Sequence, residues 1–217
     1  MDRSGLYLLG ERTLVVQFPA PATIGCQQRI WWMAQRLRRH GYDDIVPGMN
    51  NLTVFFNPQL EDGPRLCSKL KRLWRSAKEY SFKVREVVIP VHYGGEAGPD
   101  LEVVARHAAM TPAEVVTAHS KAIYTVFFLG FQPGFAYLGG LPNHLATPRL
   151  AVPRLTVPAG SVGIGGEQTG IYPTASPGGW QLIGRTELCM FDPGRKRPSL
   201  LLPGDRVRFT PVGGHNA

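Results

Sequence analysis

From Gly130 onward the sequence is broken by Gly or Pro so often that no helix of ordinary length can form there. Short runs survive between the breaks: Thr156–Val157, Ser161–Ile164, Gly170–Tyr172, Trp180–Gly184, Leu188–Phe191 and Val207–Thr210. Strand-sized runs at this spacing, separated by turn residues, predict a small closed or semi-closed β-barrel. Gly and Pro contribute 25 and 19 of the 217 residues, which is high for a helical protein and ordinary for a β-rich one. With 43% hydrophobic and 18% charged residues, the chain has the composition of a folded protein and not of a disordered one.

The preceding part has a different rhythm. Leu6–Leu9 and Leu14–Phe18 read as strands around the turn at Gly10–Arg12. A helix follows with Ile30, Ala34 and Leu37 on one face, ending at Gly41. Asp44–Val46 and Leu52–Phe56 flank a turn-rich Pro47–Asn51. A second helix then starts after Asp62, with Pro64 in its first turn and Leu66, Leu70, Leu73, Trp74 and Ala77 at helical spacing. Glu86–Val91 is a β-branched strand. This order predicts an α+β, ferredoxin-like N-terminal domain with two helices on a small sheet, over residues 1–92. The Gly-rich Tyr93–Pro99 marks the boundary, and residues 93–217 form the second, mostly β domain. It opens with two short helices, the first capped by Asp100 and the second by a capping box at Thr111 and Glu114.

The formal net charge is +8, and it is unevenly placed. Through Arg85 there are 14 Lys/Arg against 7 Asp/Glu; beyond it there are 10 against 9. The excess sits in Arg29–Arg39 and Arg65–Arg85, which read as amphipathic helices with basic outer faces. Nucleic-acid binding would need stacking aromatics interleaved with those cations, whereas Trp31, Trp32 and Trp74 fall on or beside the apolar stripes. Docking to an acidic partner, or solubility, accounts better for the charge. Cys26, Cys67 and Cys189 are too far apart and too few for a disulfide framework or zinc ribbon. The opening residues lack a basic-then-apolar leader and no apolar run approaches a membrane span, so the expectation is a cytoplasmic protein without membrane contact.

Gly160–Gly170 resembles a phosphate loop in glycine content only, since no Lys-Ser/Thr follows and Gln168 stands where a dinucleotide fingerprint needs Gly or Ala. Ala159 likewise spoils a nucleophile elbow around Ser161. His40, His92, His107, His119, His144 and His215 show no metal-ligand spacing, so no metal site is expected. Periodicity does not explain the aromatics set between glycines in Gly130–Gly140 and Ser176–Gln181. They predict rigid loops presenting Phe131, Phe135, Tyr137 and Trp180 at a pocket or interface, with packing as the competing reading. Arg149 and Arg154, each behind a Pro, could clamp a carboxylate or phosphate in bidentate fashion.

Phe128–Gly140, the two Pro-Arg pairs, Pro158–Gly163, Gln168–Pro173 and Pro177–Gly184 resemble the allophanate hydrolase subunit 1 family, and Pro47–Asn51 resembles its 5-oxoprolinase branch. Ala136 and Glu167 depart from that pattern, Ala136 standing where some members have Pro and Glu167 where Pro is common. The resemblance covers almost the whole chain. It implies a cyclophilin-like barrel and an oxoprolinase complex in which the C subunit is the direct partner and the A subunit a further component. It also implies the ATP-dependent opening of 5-oxo-L-proline to L-glutamate, with Mg2+ accompanying the nucleotide and no activity in the isolated chain. On this reading Arg149 and Arg154 hold carboxylate or phosphoryl oxygens and His119 carries a proton. Gln132, Tyr137 and Gln181 hydrogen-bond the lactam, and Phe135 and Trp180 complete the substrate-binding set. Inhibition of a sensor kinase, or a role in urea or allophanate metabolism, remains open as an alternative.

Overall fold

The structure is a computed structural model and describes residues 5–78 and 84–213; His215 lies outside them, as do residues 79–83 of the second basic segment. The chain divides into two compact units, residues 1–82 and 83–217.

In the first unit, β1 (Gly5–Leu8), β2 (Thr13–Gln17), β4 (Asn51–Phe55) and β3 (Asp44–Gly48) form an antiparallel sheet in the order β1-β2-β4-β3. Alternation puts Leu14, Val16, Leu52 and Val54 on one face. The helices α1 (Ile24–Leu37) and α2 (Gly63–Ser76) cover that face with Ile30, Met33, Ala34 and Leu37 from one, and Leu66 and Leu70 from the other. Thr23 caps α1 by accepting from the Cys26 N–H, and Asp62 caps α2 by accepting from the Arg65 N–H. After α1, a short 3-10 turn ends at Gly41 with φ +72°, a conformation only glycine adopts without strain. Trp74 stacks on Phe18 with 3.9 Å between centroids and lies beneath the Arg29 guanidinium, so this ring packs.

The second unit is built on a closed barrel in the order β10-β7-β6-β13-β5-β12-β9. Its strands are β5 (Glu86–Tyr93), β6 (Tyr124–Leu129), β7 (Ala136–Gly139), β9 (Ser161–Gly165), β10 (Gln168–Ile171), β12 (Gln181–Arg185) and β13 (Arg206–Pro211). A two-stranded ribbon, β8 (Arg154–Val157) with β11 (Ser176–Gly178), stands apart from it. The helices α3 (Leu101–His107) and α4 (Pro112–Lys121) add Leu101, Val104, Val115 and Val116 to the same core as Ile89, Val126, Leu138, Ile164 and Phe209.

Three expectations change. Glu86–Tyr93 is a barrel strand and not the last strand of the N-terminal sheet. It pairs in parallel with β13 over six residues and with β12 at His92 and Tyr93, so the units separate before it and not after residue 92. Local sequence names a strand but not its partner, and the partner here lies 120 residues away. Asp100 provides no side-chain cap to α3, because both carboxylate oxygens are engaged elsewhere. Leu188–Phe191 is not a strand; only an isolated bridge, Phe191 to Ser199, forms there. The capping box at Thr111 and Glu114 forms as expected.

Candidate functional site

Strands β9 and β12 are buried on both faces over almost their whole length, which is why they show no alternation in sequence. Their inner residues Val162, Ile164 and Ile183 fill the barrel. Outside, a second small core of Phe135, Val157, Tyr172, Trp180 and Leu182, flanked by Tyr137, lies against the barrel wall. The glycines of the Gly-rich segment make this possible. A Cβ on Gly165 would fall inside the Trp180 indole. One on Gly163 would lie 3.1 Å from the Trp180 Cβ, and one on Gly170 would lie 3.2 Å from the Phe135 and Trp180 rings. Gly163, Gly165 and Gly170 therefore form a flat floor for Trp180 and are not free to cradle a phosphate.

On this floor the rings make a continuous edge-to-face array. Phe135 lies 5.5 Å from Trp180, 5.4 Å from Tyr172, 4.9 Å from Tyr137 and 5.4 Å from Phe131, centroid to centroid. Tyr137 also stacks on Phe128 at 4.3 Å and nearly parallel. Phe131 is 61% exposed at the open end of the array, and its φ of +68° is a strained backbone for a side chain of that size. Arg149 holds its guanidinium carbon 5.8 Å above the Trp180 ring and has no ion-pair partner among the described residues. Burial raises the phenols of Tyr137 and Tyr172, and the Arg149 charge opposes both shifts, so this cation sits within electrostatic reach of two hydroxyls.

The other expected residues divide. Arg154 ion-pairs with Asp100 at 2.7 Å, and the second Asp100 oxygen accepts the Leu182 N–H at 2.7 Å. The two arginines are thus no matched clamp: Arg149 is open, whereas Arg154 braces β8 against β12 and keeps only a buried, unpartnered Nη1. Gln181 donates to the Pro148 carbonyl at 3.0 Å, which holds the Arg149 loop, and its Oε1 is buried without a partner. Gln132 exchanges two hydrogen bonds with Thr174 beside Phe131.

His119 does not reach this surface. It is fully buried, 4.6 Å from the Phe209 ring, with both nitrogens engaged. The Thr169 hydroxyl donates to the Gly163 carbonyl at 2.9 Å, so it accepts from His119 Nε2 at 3.1 Å, and His119 Nδ1 accepts from the Tyr93 hydroxyl at 2.8 Å. This network fixes one neutral tautomer, and burial pushes the His119 pKa down to about 3. A base so weak and so enclosed does not suit the proton-carrying role expected of it. Tyr172 and Asp100 escape a sequence reading as site residues. Tyr172 stands within the Gln168–Pro173 motif, while nothing local links Asp100 to Arg154, 54 residues away. Of the two departures, Ala136 is buried in the barrel and Glu167 is exposed in the hairpin turn after β9.

Residues 5–201 match the profile of the family described as "Carboxyltransferase domain, subdomain C and D". The chain belongs to this family. It is 51% identical over 212 residues to the B subunit of 5-oxoprolinase from Escherichia coli O157:H7, covering 97% of each sequence. Among solved structures, TTHA0988 superposes on this family member with a TM-score of 0.80 at 37% identity over 94% of the chain, which spans about two-fifths (40%) of that longer protein. Urea amidolyase of Lachancea kluyveri shares only a 58-residue stretch, 24% of this chain and 3% of that protein.

Proposed function

We propose that the chain is the B-type subunit of an ATP-dependent 5-oxoprolinase and that the aromatic array beside Arg149 receives 5-oxo-L-proline. The observation that carries this reading is the 51% identity to the B subunit of a 5-oxoprolinase, which extends over 97% of both chains. The short urea amidolyase match gives no comparable support for urea or allophanate chemistry.

The chemistry suits the site. A five-membered lactam is an unactivated amide. Transfer of the ATP γ-phosphoryl group to its oxygen, with ADP leaving, makes the ring carbon electrophilic. Water adds and the C–N bond breaks to give γ-glutamyl phosphate, and a second water hydrolyses this acyl phosphate to glutamate and phosphate. Positioning and charge stabilisation dominate such a reaction. Phe131 and the half-buried Tyr137 would face the ring of the substrate, with Phe135 and Trp180 packed behind them. Arg149 would pair with its carboxylate or with the phosphoryl oxygens, Tyr137 and Gln132 would supply hydrogen bonds, and Gln181 would hold the Arg149 loop through the Pro148 carbonyl. Arg154 would position Trp180 through Asp100 and Leu182. The Gly-rich segment is filled by Trp180, so it would not serve as a phosphate loop. ATP with its Mg2+ would be bound by the partner subunits or shared between them and this chain, and the isolated chain would be inactive. The β2-α1-β3-β4-α2 succession supports a ferredoxin-like outline for the first unit, and the closed barrel a cyclophilin-like one for the second.

Glutamate release from 5-oxoproline and ATP, measured with the A and C subunits present and then with each component omitted, tests the assignment. Activity that disappears when this chain is withheld is expected. Full activity without it would overturn the reading.

A further inference from the structure

The first unit carries a cleft of about 480 Å³, made by α2 with the segments after α1 and β4 and sharing no residue with the ring array. Arg65, Lys69 and Arg72 line it from successive turns of α2, at i, i+4 and i+7, with His40 on the opposite bank. Glu61 is its single acidic side chain. Lys69 is held in place: its ammonium donates to the Tyr42 hydroxyl at 2.6 Å, lies 5.0 Å over the Tyr42 ring, and reaches Glu61 at 3.9 Å. Arg65 and Arg72 are exposed and have no acidic partner among the described residues. At the rim Leu60 is 84% exposed, above the buried Phe56.

From this arrangement we infer that the cleft is a docking site for an acidic polypeptide segment of a partner protein, with an apolar side chain of that segment packing on Leu60. Charge complementarity is the first reason, since two unpaired guanidiniums flank one fixed ammonium. Spacing is the second. Seven residues of helix separate Arg65 from Arg72 by about 10 Å. A row of cations of that length lies between the spacings of carboxylates two and four residues apart, which share one face of an extended chain at about 3.3 Å per residue. The apolar rim and the acidic Glu61 within the cleft suit a mixed acidic and apolar peptide better than the uniform phosphates of a nucleic acid. This inference concerns the first unit and is independent of the 5-oxoprolinase reading.

The test uses the full chain and a fluorescein-labelled peptide, Glu-Glu-Leu-Asp-Glu-Leu-Glu-Glu, followed by anisotropy at about 0.05 M and about 0.3 M salt. Binding is expected at low salt and weaker at high salt. The double variant Arg65→Glu with Arg72→Glu is expected to weaken it at least ~10-fold, and Leu60→Ser several-fold. Lys196→Glu with Arg197→Glu, the same charge change on exposed residues of the second unit, is expected to leave binding within about 2-fold. All four charge positions and Leu60 are exposed, so these variants keep the fold, as a circular dichroism melt checks. No peptide binding, equal loss in both double variants, displacement by equimolar inorganic triphosphate, or tighter binding of a DNA duplex would each overturn the inference.

Discussion

The Trp180 indole occupies the space in which a side chain on Gly165 would project. The ring therefore lies flat on barrel backbone and is fixed by the wall beneath it, which makes it a rigid surface for Phe135, Tyr137 and Arg149 to surround. Gly165→Ala must displace the indole. The expected cost is about 1–3 kcal/mol in urea unfolding, with the near-ultraviolet dichroism of the tryptophans altered. In the reconstituted enzyme the same variant is expected to lose most activity, whereas Glu167→Ala, in the exposed hairpin turn, is expected to keep it.

Arg149→Ala tests the open cation. Arg149 is exposed, so stability is expected to stay within about 0.5 kcal/mol of the parent chain. Loss of a charge-assisted contact to a carboxylate or phosphoryl group is expected to reduce kcat/KM roughly 10- to 100-fold in the assembled enzyme. Arg149→Lys should recover only part of this, since an ammonium lacks the planar fork. Unchanged kinetics in Arg149→Ala would remove the residue from the site.

Asp100→Asn breaks a partly buried pair and leaves the Arg154 guanidinium without its counter-charge. A loss of about 1–3 kcal/mol is expected on denaturation, because the lone cation keeps its desolvation cost. Arg154→Met should cost at least as much as Asp100→Asn, since it leaves the more deeply buried Asp100 carboxylate without its counter-charge and with only the Leu182 N–H to bond it. A double-mutant cycle with chemical denaturation would measure the coupling.

His119 makes the stability pH-dependent. Its folded pKa is depressed to about 3, and the unfolded chain titrates near 6.5, so between these values the unfolded state holds one more proton. The contribution is complete above about pH 6.5 and is lost as pH falls toward 3, at about 1.4 kcal/mol per unit. Denaturation at pH 7 and pH 5 should therefore differ by roughly 2 kcal/mol more in the parent chain than in His119→Gln. Equal differences would show that the ring is not held neutral in the fold.

Phe131 illustrates strain at an exposed ring. Phe131→Gly is expected to relieve its positive φ and cost no stability, or to add up to ~1 kcal/mol, while lowering activity in the reconstituted enzyme. Thermal unfolding alongside the glutamate-release assay separates the two effects.

Much of this protein follows from local pattern. Helical spacing of Ile30, Ala34 and Leu37 and of Leu66 and Leu70, the cap at Thr111, and the Gly/Pro punctuation beyond Gly130 each act within a few residues, where steric and capping rules suffice. The ring residues are legible as well, because aromatics between glycines obey neither structural period. What only tertiary structure decided were pairings across long stretches of chain. Glu86–Tyr93 joins β13, Asp100 turns from its helix to Arg154, and His119 closes a network with Tyr93 and Thr169. The physical reason is the same in each case. A strand's ladder groups, a carboxylate's second oxygen and an imidazole's two nitrogens must all find partners once buried, and which partners are in reach depends on how the barrel closes.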